Sequence, residues 1–81
     1  NRNYWNRGFM TEALEMILKF IFINSEINRI EAFVEIPNVA SQKLLQKLGF
    51  TKEGTLRQYE KCRGNLIDII IYGYLRKDGK F

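Results

Sequence analysis

Residues 10–23 carry their charges with the spacing of a helix. Glu12, Glu15 and Lys19 are three and four residues apart, so a helix places them on one narrow face. Almost every other residue of the stretch is apolar. The pattern predicts a helix over residues 10–23 that is buried on all but this face, followed by a loop over residues 24–28.

Residues 29–36 (RIEAFVEI) alternate with a period of two. Their even positions are all apolar, and two of the odd positions are the glutamates Glu31 and Glu35. This alternation predicts a half-buried strand that Pro37 ends. We expect both glutamates to be residues of the outer sheet face.

Asn38 and Gly49 frame a second predicted helix. Asparagine is a favoured helix N-cap, and glycine is favoured at the left-handed residue after a helix. Apolar residues at helical spacing lie between them. A polar-rich strand is expected from residue 50 to near 61, a hairpin turn at residues 63–65 (RGN) and a β-prone strand over residues 66–75. Helix, strand, helix and hairpin together predict an α+β fold with α/β-type layers.

The length and the missing residue types exclude several kinds of site. A chain of 81 residues makes at most one small domain. It has no histidine, so it holds neither a Ser-His-Asp triad nor a histidine metal site. Its single cysteine, Cys62, excludes an internal disulfide and reads as a plain hydrophobe. No metal is implied.

The net charge of +4 is dispersed along the chain. Nucleic-acid surfaces cluster their basic residues more tightly, and an anionic small molecule suits this balance equally well. No apolar run approaches the roughly 18–20 residues of a membrane span, and no cleavable signal pattern opens the chain. We therefore expect a cytoplasmic location and no membrane partner.

Residues 5–14 (WNRGFMTEAL) read as a glycine-containing turn that leads into the first helix. The unpaired N–H groups and the dipole of a helix start favour an anion such as a pyrophosphate. Gly8 has no Cβ, so an anion can approach the main chain closely. The alternative is an ordinary helix start in which Gly8 only serves the turn.

A second segment gives this turn a family context. Residues 38–50 (NVASQKLLQKLGF) have the spacing N-x-x-S-x-x-L-L-x-K-x-G-F. Together with residues 5–14, they resemble the GCN5-related N-acetyltransferases, the GNAT superfamily. The residues EGTLR at 53–57 and YGYL at 72–75 resemble its RimJ/RimL-like branch, which acetylates the N-terminal amines of ribosomal proteins.

The resemblance covers the chain from the loop before the cofactor helix to the last strand. It implies the C-terminal half of the GNAT fold: helix, strand and helix, then an antiparallel hairpin, in a small mixed sheet. Residues 1–81 are accordingly expected to be a single partial acetyltransferase domain, with the upstream strands and helices of the fold missing.

The resemblance further implies that acetyl-CoA is the co-substrate. Its pyrophosphate would lie on the backbone amides of Arg7, Gly8, Phe9, Met10 and Thr11. Met10 stands where the family has glycine or alanine, which crowds the turn.

Two residues of the second segment carry roles in the family. Asn38 matches the asparagine that approaches the pantetheine arm, although it also serves as a simple N-cap. Ser41 is placed to reach the thioester sulfur or a phosphate, or else is a solvated serine of a first helical turn. Leu45 occupies the position of a common tyrosine proton donor, so a proton for the leaving thiolate would come from Ser41 or water.

Glu60 aligns with the candidate base of the ribosomal branch. An ammonium has no lone pair, so acetyl transfer needs a carboxylate to take its proton. The alternative is a surface glutamate that pairs with a neighbour such as Lys61 or with a cross-strand partner. Asp68 is expected to pair with a nearby basic side chain.

Three functions remain open at this level. The first is acetyl-CoA-dependent N-acetylation of a primary amine, with a protein N-terminus as one candidate acceptor, by an enzyme or its fragment. The second is a CoA-binding or interaction module without turnover, and the remote third is a small basic nucleic-acid-binding domain. The first predicted strand would have an unpaired edge, so we expect the chain to dimerise, exchange elements or be a fragment of a longer protein.

Overall fold

The computed structural model describes the backbone of residues 2–79 and the side chains of residues 10–79. The elements follow the predicted order. They are α1 (Arg2–Asn24), β1 (Arg29–Glu35), α2 (Val39–Leu48), β2 (Thr51–Cys62), β3 (Asn65–Leu75) and a short 3-10 turn (Arg76–Asp78). The α+β fold class is confirmed.

The three strands form one sheet in the order β1-β3-β2. Strand β3 lies between the other two and runs antiparallel to both. The sheet is therefore antiparallel throughout, where a mixed sheet was expected. The hairpin places β2 beside β3, and β3 returns to pair with β1, so β1 and β2 share no backbone pairing.

The core lies between one face of the sheet and the two helices. Tyr72 is fully buried in it, and its hydroxyl accepts a hydrogen bond from Gln46 Nε2 at 3.4 Å. The buried members of this core are Leu18, Phe22, Val34, Leu48, Phe50, Ile70, Tyr72 and Tyr74. Each large apolar side chain contributes about 1.5–3 kcal/mol when buried, so this cluster is the main stabilising feature.

Helix α1 is more exposed than its sequence predicts. Met16 is 71% exposed and Phe20 is 67% exposed, while only the stripe with Leu18 and Phe22 is buried. The prediction of a helix buried on all but one face is therefore wrong. A single sheet layer covers one side of α1 and leaves its second apolar side facing outward.

The same helix begins earlier than predicted. Residues 2–8, expected to form a loop and turn, are helical. No proline interrupts them, and the one glycine, Gly8, disfavours a helix by only about 1 kcal/mol. Once a helix exists, each further residue adds a hydrogen bond at little entropic cost.

The carboxyl end of α1 is held by Arg76. Its guanidinium donates to the carbonyl of Phe22, to that of Ser25 at 2.8 Å and to that of Ile27 at 2.6 Å. It also lies 5.3 Å from the centre of the Phe22 ring. A positive side chain thus satisfies carbonyls at the negative end of the helix dipole.

The local signals of α2 and of the hairpin are confirmed. Asn38 Oδ1 accepts the backbone N–H of Ser41 at 3.1 Å. Gly49 has φ +102°, and its N–H donates to the carbonyl of Gln46 at 3.1 Å. The turn between β2 and β3 has positive φ at both central residues, Arg63 and Gly64, which is typical of a tight hairpin turn.

On the outer face of the sheet, a charged bridge crosses β3 at Gly73. Arg29 of β1 forms an ion pair with Glu53 of β2, and another with Glu31 at 2.9 Å. A Cβ at Gly73 would collide with the Glu53 carboxyl group and the Arg29 guanidinium. Because Gly73 has no side chain, Arg29 of β1 can reach Glu53 of β2 across β3. This bridge also lowers the pKa of Glu53, chiefly through the hydrogen bond from Arg29.

No helix within the described part of the chain is long and apolar enough to cross a membrane. Residues 10–79 contain no group of three metal-ligating side chains close enough to hold an ion.

Candidate active site

A depression of about 290 Å³ lies where β1 ends and α2 begins. It brings together three residues that the sequence analysis singled out: Asn38, Ser41 and Glu60. The other residues that line it are Phe33, Val34, Glu35, Tyr59 and Ile69. Asn38 and Ser41 come from the start of α2, whereas Glu60 reaches the depression from β2, 19 positions beyond Ser41 in the sequence.

An irregularity in β2 places Glu60 there. Leu56 pairs with Ile69 and Glu60 pairs with Ile67, so residues 57–59 of β2 lie opposite the single residue Asp68 of β3. Such a bulge redirects the side chains that follow it. Within it, Gln58 has φ +50°, and its backbone N–H donates to Asp68 Oδ1 at 2.7 Å. The expectation that Asp68 holds a basic side chain is therefore wrong, because its carboxylate holds the bulge instead.

The partner of Glu60 is a second carboxyl group, that of Glu35. A hydrogen bond with Glu35 is the largest cause that raises the pKa of Glu60, followed by burial and by the negative charge of Glu35. Two carboxyl groups in contact hold one proton more tightly than either would alone. Glu60 is exposed and its side-chain partner lies on another strand, β1, so its role as a base stays a prediction.

Sequence reasoning missed Glu35, which it treated as an ordinary residue of the sheet face. Its position carried one usable signal. It is a carboxylate in the last position of a strand, two residues before Pro37 and three before Asn38, the N-cap of α2. Its partner could not be inferred, because β3 separates β1 from β2.

An aromatic pair forms one wall of the depression. The ring centres of Phe33 and Tyr59 are 6.3 Å apart, a distance typical of favourable aromatic contacts. Both side chains are more than half exposed. They therefore offer an apolar and π-rich surface beside the two carboxyl groups, which suits an amine that enters as a cation.

A larger groove of about 560 Å³ lies between α1 and α2, on the other side of the first turn of α2. Lys43 and Lys47 are one helical turn apart and lie on the same side of α2. The remaining residues of the lining are mostly apolar: Met10, Thr11, Val39, Ala40 and Leu44. The groove thus combines apolar walls with two cations, as an anionic ligand with an apolar arm requires.

The five predicted amide donors are only partly described. Met10 and Thr11 line the groove, whereas the side chains of Arg7 and Phe9 and the surroundings of Gly8 lie outside the described residues. The turn predicted before the helix is absent, because α1 is already helical from Arg2. Only the first four N–H groups of a helix lack an internal partner, and the amides of residues 7–11 lie beyond them.

Leu45 is half-buried against the hydrophobic core. Its aliphatic side chain has no proton to donate. Of the described polar residues that line the depression, Ser41 is the one with a hydroxyl at the start of α2. A proton for a leaving group would come from one of the two hydroxyl groups of the lining, those of Ser41 and Tyr59, or from solvent.

Comparison with known proteins identifies the family of the chain. Residues 1–51 match the family model described as an acetyltransferase (GNAT) domain. The chain belongs to the GNAT acetyltransferase family.

Individual relatives extend the match over nearly the whole chain. It is 46% identical over 77 residues to the uncharacterized N-acetyltransferase p20 of Bacillus licheniformis, covering 95% of the chain and 43% of that protein. It is 37% identical over 73 residues to the uncharacterized N-acetyltransferase YoaA of Bacillus subtilis, covering 90% of the chain and 41% of the relative.

A solved structure shows the same arrangement of elements. The crystal structure of a GNAT-family acetyltransferase from Bacillus anthracis superimposes with a TM-score of 0.84 at 27% identity. The superposition covers 95% of this chain and 46% of that one. The chain therefore spans less than half the length of the proteins it matches.

Proposed function

We propose that this chain supplies the acetyl-CoA-binding half of an N-acetyltransferase that acetylates a primary amine. One observation carries the proposal. The first turn of α2 separates a groove with two lysines from a depression with two carboxyl groups, with Ala40 in one lining and Ser41 in the other. A thioester held at that turn would meet an amine held by the carboxyl groups.

The groove fits the co-substrate in its charge and its apolar lining. Lys43 and Lys47 would attract the phosphates, and the apolar side chains of both helices would contact the pantetheine arm. Asn38 Oδ1 is engaged in the helix cap, so its amide NH₂ group is the part that would donate to the arm. When bound, acetyl-CoA supplies the activated acetyl group.

Use of the amides of residues 7–11 for the pyrophosphate requires α1 to begin near Gly8. Residues 2–8 make up about two helical turns. We therefore propose that binding unwinds these two turns and frees the amides for the anion.

The carboxyl groups would prepare the amine for attack. A primary amine is an ammonium at neutral pH, and Glu60 would accept its proton while Glu35 stabilises the protonated form. The neutral nitrogen then bonds to the thioester carbon, and the carbon–sulfur bond breaks. The nitrogen gives up its second proton as the amide forms, and the leaving thiolate takes up one proton, relayed through Ser41 or through solvent. Binding of both reactants side by side is the main contribution of such a site.

For the acceptor, we propose the α-amine of a protein N-terminus. The support is the resemblance of residues 53–57 and 72–75 to the RimJ/RimL-like branch. The open depression beside Tyr59, which is itself exposed, would leave room for a polypeptide to continue beyond the amine.

The test begins with binding. Acetyl-CoA at 100 times its dissociation constant should stabilise the folded chain by about 2.7 kcal/mol, measured as a shift of the thermal midpoint. Absence of a shift with both acetyl-CoA and CoA would overturn the proposal.

The second step is turnover on a panel of peptides and small amines. Glu60→Gln should leave the thermal shift intact and lower the rate about 10²-fold to 10⁴-fold. Glu26→Gln, which changes an exposed glutamate of the loop after α1, is the matched control and should change neither.

A binding module without turnover is the second candidate. It is favoured by Leu45, which stands in place of a proton donor. A thermal shift with acetyl-CoA but no acetylated product from any amine of the panel would support this function instead.

A further inference from the structure

The bulge in β2 is the feature that the proposed reaction leaves unexplained. Without it, regular pairing after Leu56 and Ile69 would place Gln58 opposite Ile67 and Glu60 opposite Asn65. With it, Glu60 is the residue opposite Ile67. The bulge therefore draws Glu60 back along β3 by two residues, or about 7 Å at the rise of a strand.

This displacement decides whether the two carboxyl groups can meet. Glu35 pairs with Ile69 on β3, and cross-strand partners share one face of a sheet. With the bulge, Glu60 is offset from Glu35 by two positions of β3, from Ile67 to Ile69. Regular pairing would make the offset four positions, beyond the reach of one glutamate for another.

Apart from the contact of the Tyr59 ring with Phe33, the bulge has little packing to hold it. Residues 57–60 are all exposed, and the backbone of Gln58 adopts a left-handed conformation that residues other than glycine rarely adopt. The hydrogen bond from the Gln58 N–H to Asp68 Oδ1 at 2.7 Å offsets this unfavourable backbone conformation. A bond to a charged acceptor is roughly twice as strong as one between neutral groups. Asp68 is also the single β3 residue opposite the bulge.

We propose that Asp68 is a positioning residue, which fixes the bulge through the Gln58 amide and so holds Glu60 beside Glu35 in the candidate active site. The proposal rests on the proposed function, in which Glu60 takes the proton of the amine. Asp68 itself does not line the depression. It acts through the backbone of β2.

The test compares Asp68→Ala with Asp68→Asn. Asparagine keeps an oxygen that can accept the Gln58 N–H, whereas alanine removes it. The geometric readout is the NMR contact between the Phe33 and Tyr59 rings, and the chemical readout is the titration of the Glu60 carboxyl carbon. Neither readout needs turnover.

In Asp68→Ala we expect the ring contact to disappear and the pKa of Glu60 to fall towards its ordinary value. The turnover number should drop about 10-fold to 100-fold, as for a misplaced catalytic group, with acetyl-CoA binding unchanged. Asp68→Asn should keep the ring contact, the raised pKa of Glu60 and a turnover number within about twofold of the parent chain.

A third variant guards against simple unfolding. Gln58→Gly in the Asp68→Ala background removes the side chain that disfavours positive φ, so the bulge should re-form in part and restore the ring contact. A folded Asp68→Ala chain that keeps both the ring contact and the Glu60 titration would overturn the proposal. Failure of the proposed function would look different, because binding and turnover would be absent from the parent chain while the NMR readouts still responded to Asp68.

Discussion

At the scale of single residues, the protonation of Glu60 connects structure to chemistry. A base must be deprotonated before it can accept the proton of an amine, so a raised pKa moves the onset of activity to higher pH. The hydrogen bond with Glu35 that raises this pKa favours the protonated form of Glu60 in the folded chain. Its stabilising contribution is fully present below the ordinary pKa of a glutamate and is lost as the pH rises through the raised pKa of Glu60.

Glu35→Gln should lower the pKa of Glu60, because the neutral amide removes the negative neighbour. The acid limb of the pH–rate profile should shift to lower pH. The fall in stability as the pH rises through the raised pKa of Glu60 should become shallower. NMR titration of the carboxyl carbons and urea unfolding at several pH values would measure these effects.

Glu31→Gln is the appropriate control for this change. Glu31 lies on the same face of β1, but it pairs with Arg29. An equal shift of the Glu60 titration in both variants would show that Glu35 has no specific effect.

Arg76 is a residue whose expected effect is on stability alone. Arg76→Ala removes donors to three carbonyls at the end of α1 and the contact with the Phe22 ring. Bonds to charged groups contribute about 1.5–3 kcal/mol, so the loss should lower the thermal midpoint by roughly 4–8 °C for each kcal/mol. Lys77→Ala, at the neighbouring exposed position, should leave the midpoint within about 1 °C if the carbonyl contacts are the cause.

At the scale of elements, the start of α1 decides how the co-substrate binds. Gly8→Ala should favour the long helix by about 1 kcal/mol and raise the helical signal in circular dichroism. If binding needs α1 to begin near Gly8, the affinity for CoA should fall in the same variant, measured by calorimetry. Gly54→Ala, in β2 where a Cβ meets open space, controls for the loss of a glycine. Unchanged CoA affinity in Gly8→Ala would place the pyrophosphate elsewhere.

The elements that the sequence predicted well are those with local causes. Strand β1 is set by its alternation and by Pro37, and the ends of α2 are set by the hydrogen-bonding chemistry of Asn38 and the positive φ of Gly49. The hairpin turn follows equally from a glycine between two β-prone runs. Sequence was sufficient there because each signal and its effect lie within a few residues.

The remainder depends on contacts between distant parts of the chain. Whether the apolar residues of α1 are buried depends on what packs against them, and the sheet covers only one side. The meeting of Glu35 with Glu60 depends on a bulge whose acceptor, Asp68, lies ten residues from Gln58. The nearness of Asn38 and Ser41 follows from helix spacing alone, so this part of the candidate site was predictable.

At the scale of the whole molecule, the outward side of α1 is a large apolar surface. Met16, Phe20 and Ile23 are all more than half exposed on it. Strand β1 is also an edge of the sheet. Exposed apolar surface and an unpaired strand edge both favour association with another chain.

We expect the isolated chain to sediment as a species larger than its 9.6 kDa monomer. Phe20→Gln should weaken this association about 10-fold, the effect of roughly 1.4 kcal/mol of apolar contact. Lys19→Gln, on the charged face of the same helix, should not change it. A monomer at all concentrations in analytical ultracentrifugation would contradict the expectation.

The lack of a side chain at Gly73 affects how the sheet would unfold. The guanidinium of Arg29 reaches Glu53 across Gly73. This ion pair joins β1 to β2, which share no backbone pairing because β3 lies between them. A side chain introduced at Gly73 would push the Arg29 and Glu53 side chains apart. It would weaken the attachment of both outer strands, β1 and β2, in the same variant. Amide hydrogen exchange near Arg29 and near Glu53 would then become faster together, because one ion pair holds both strands.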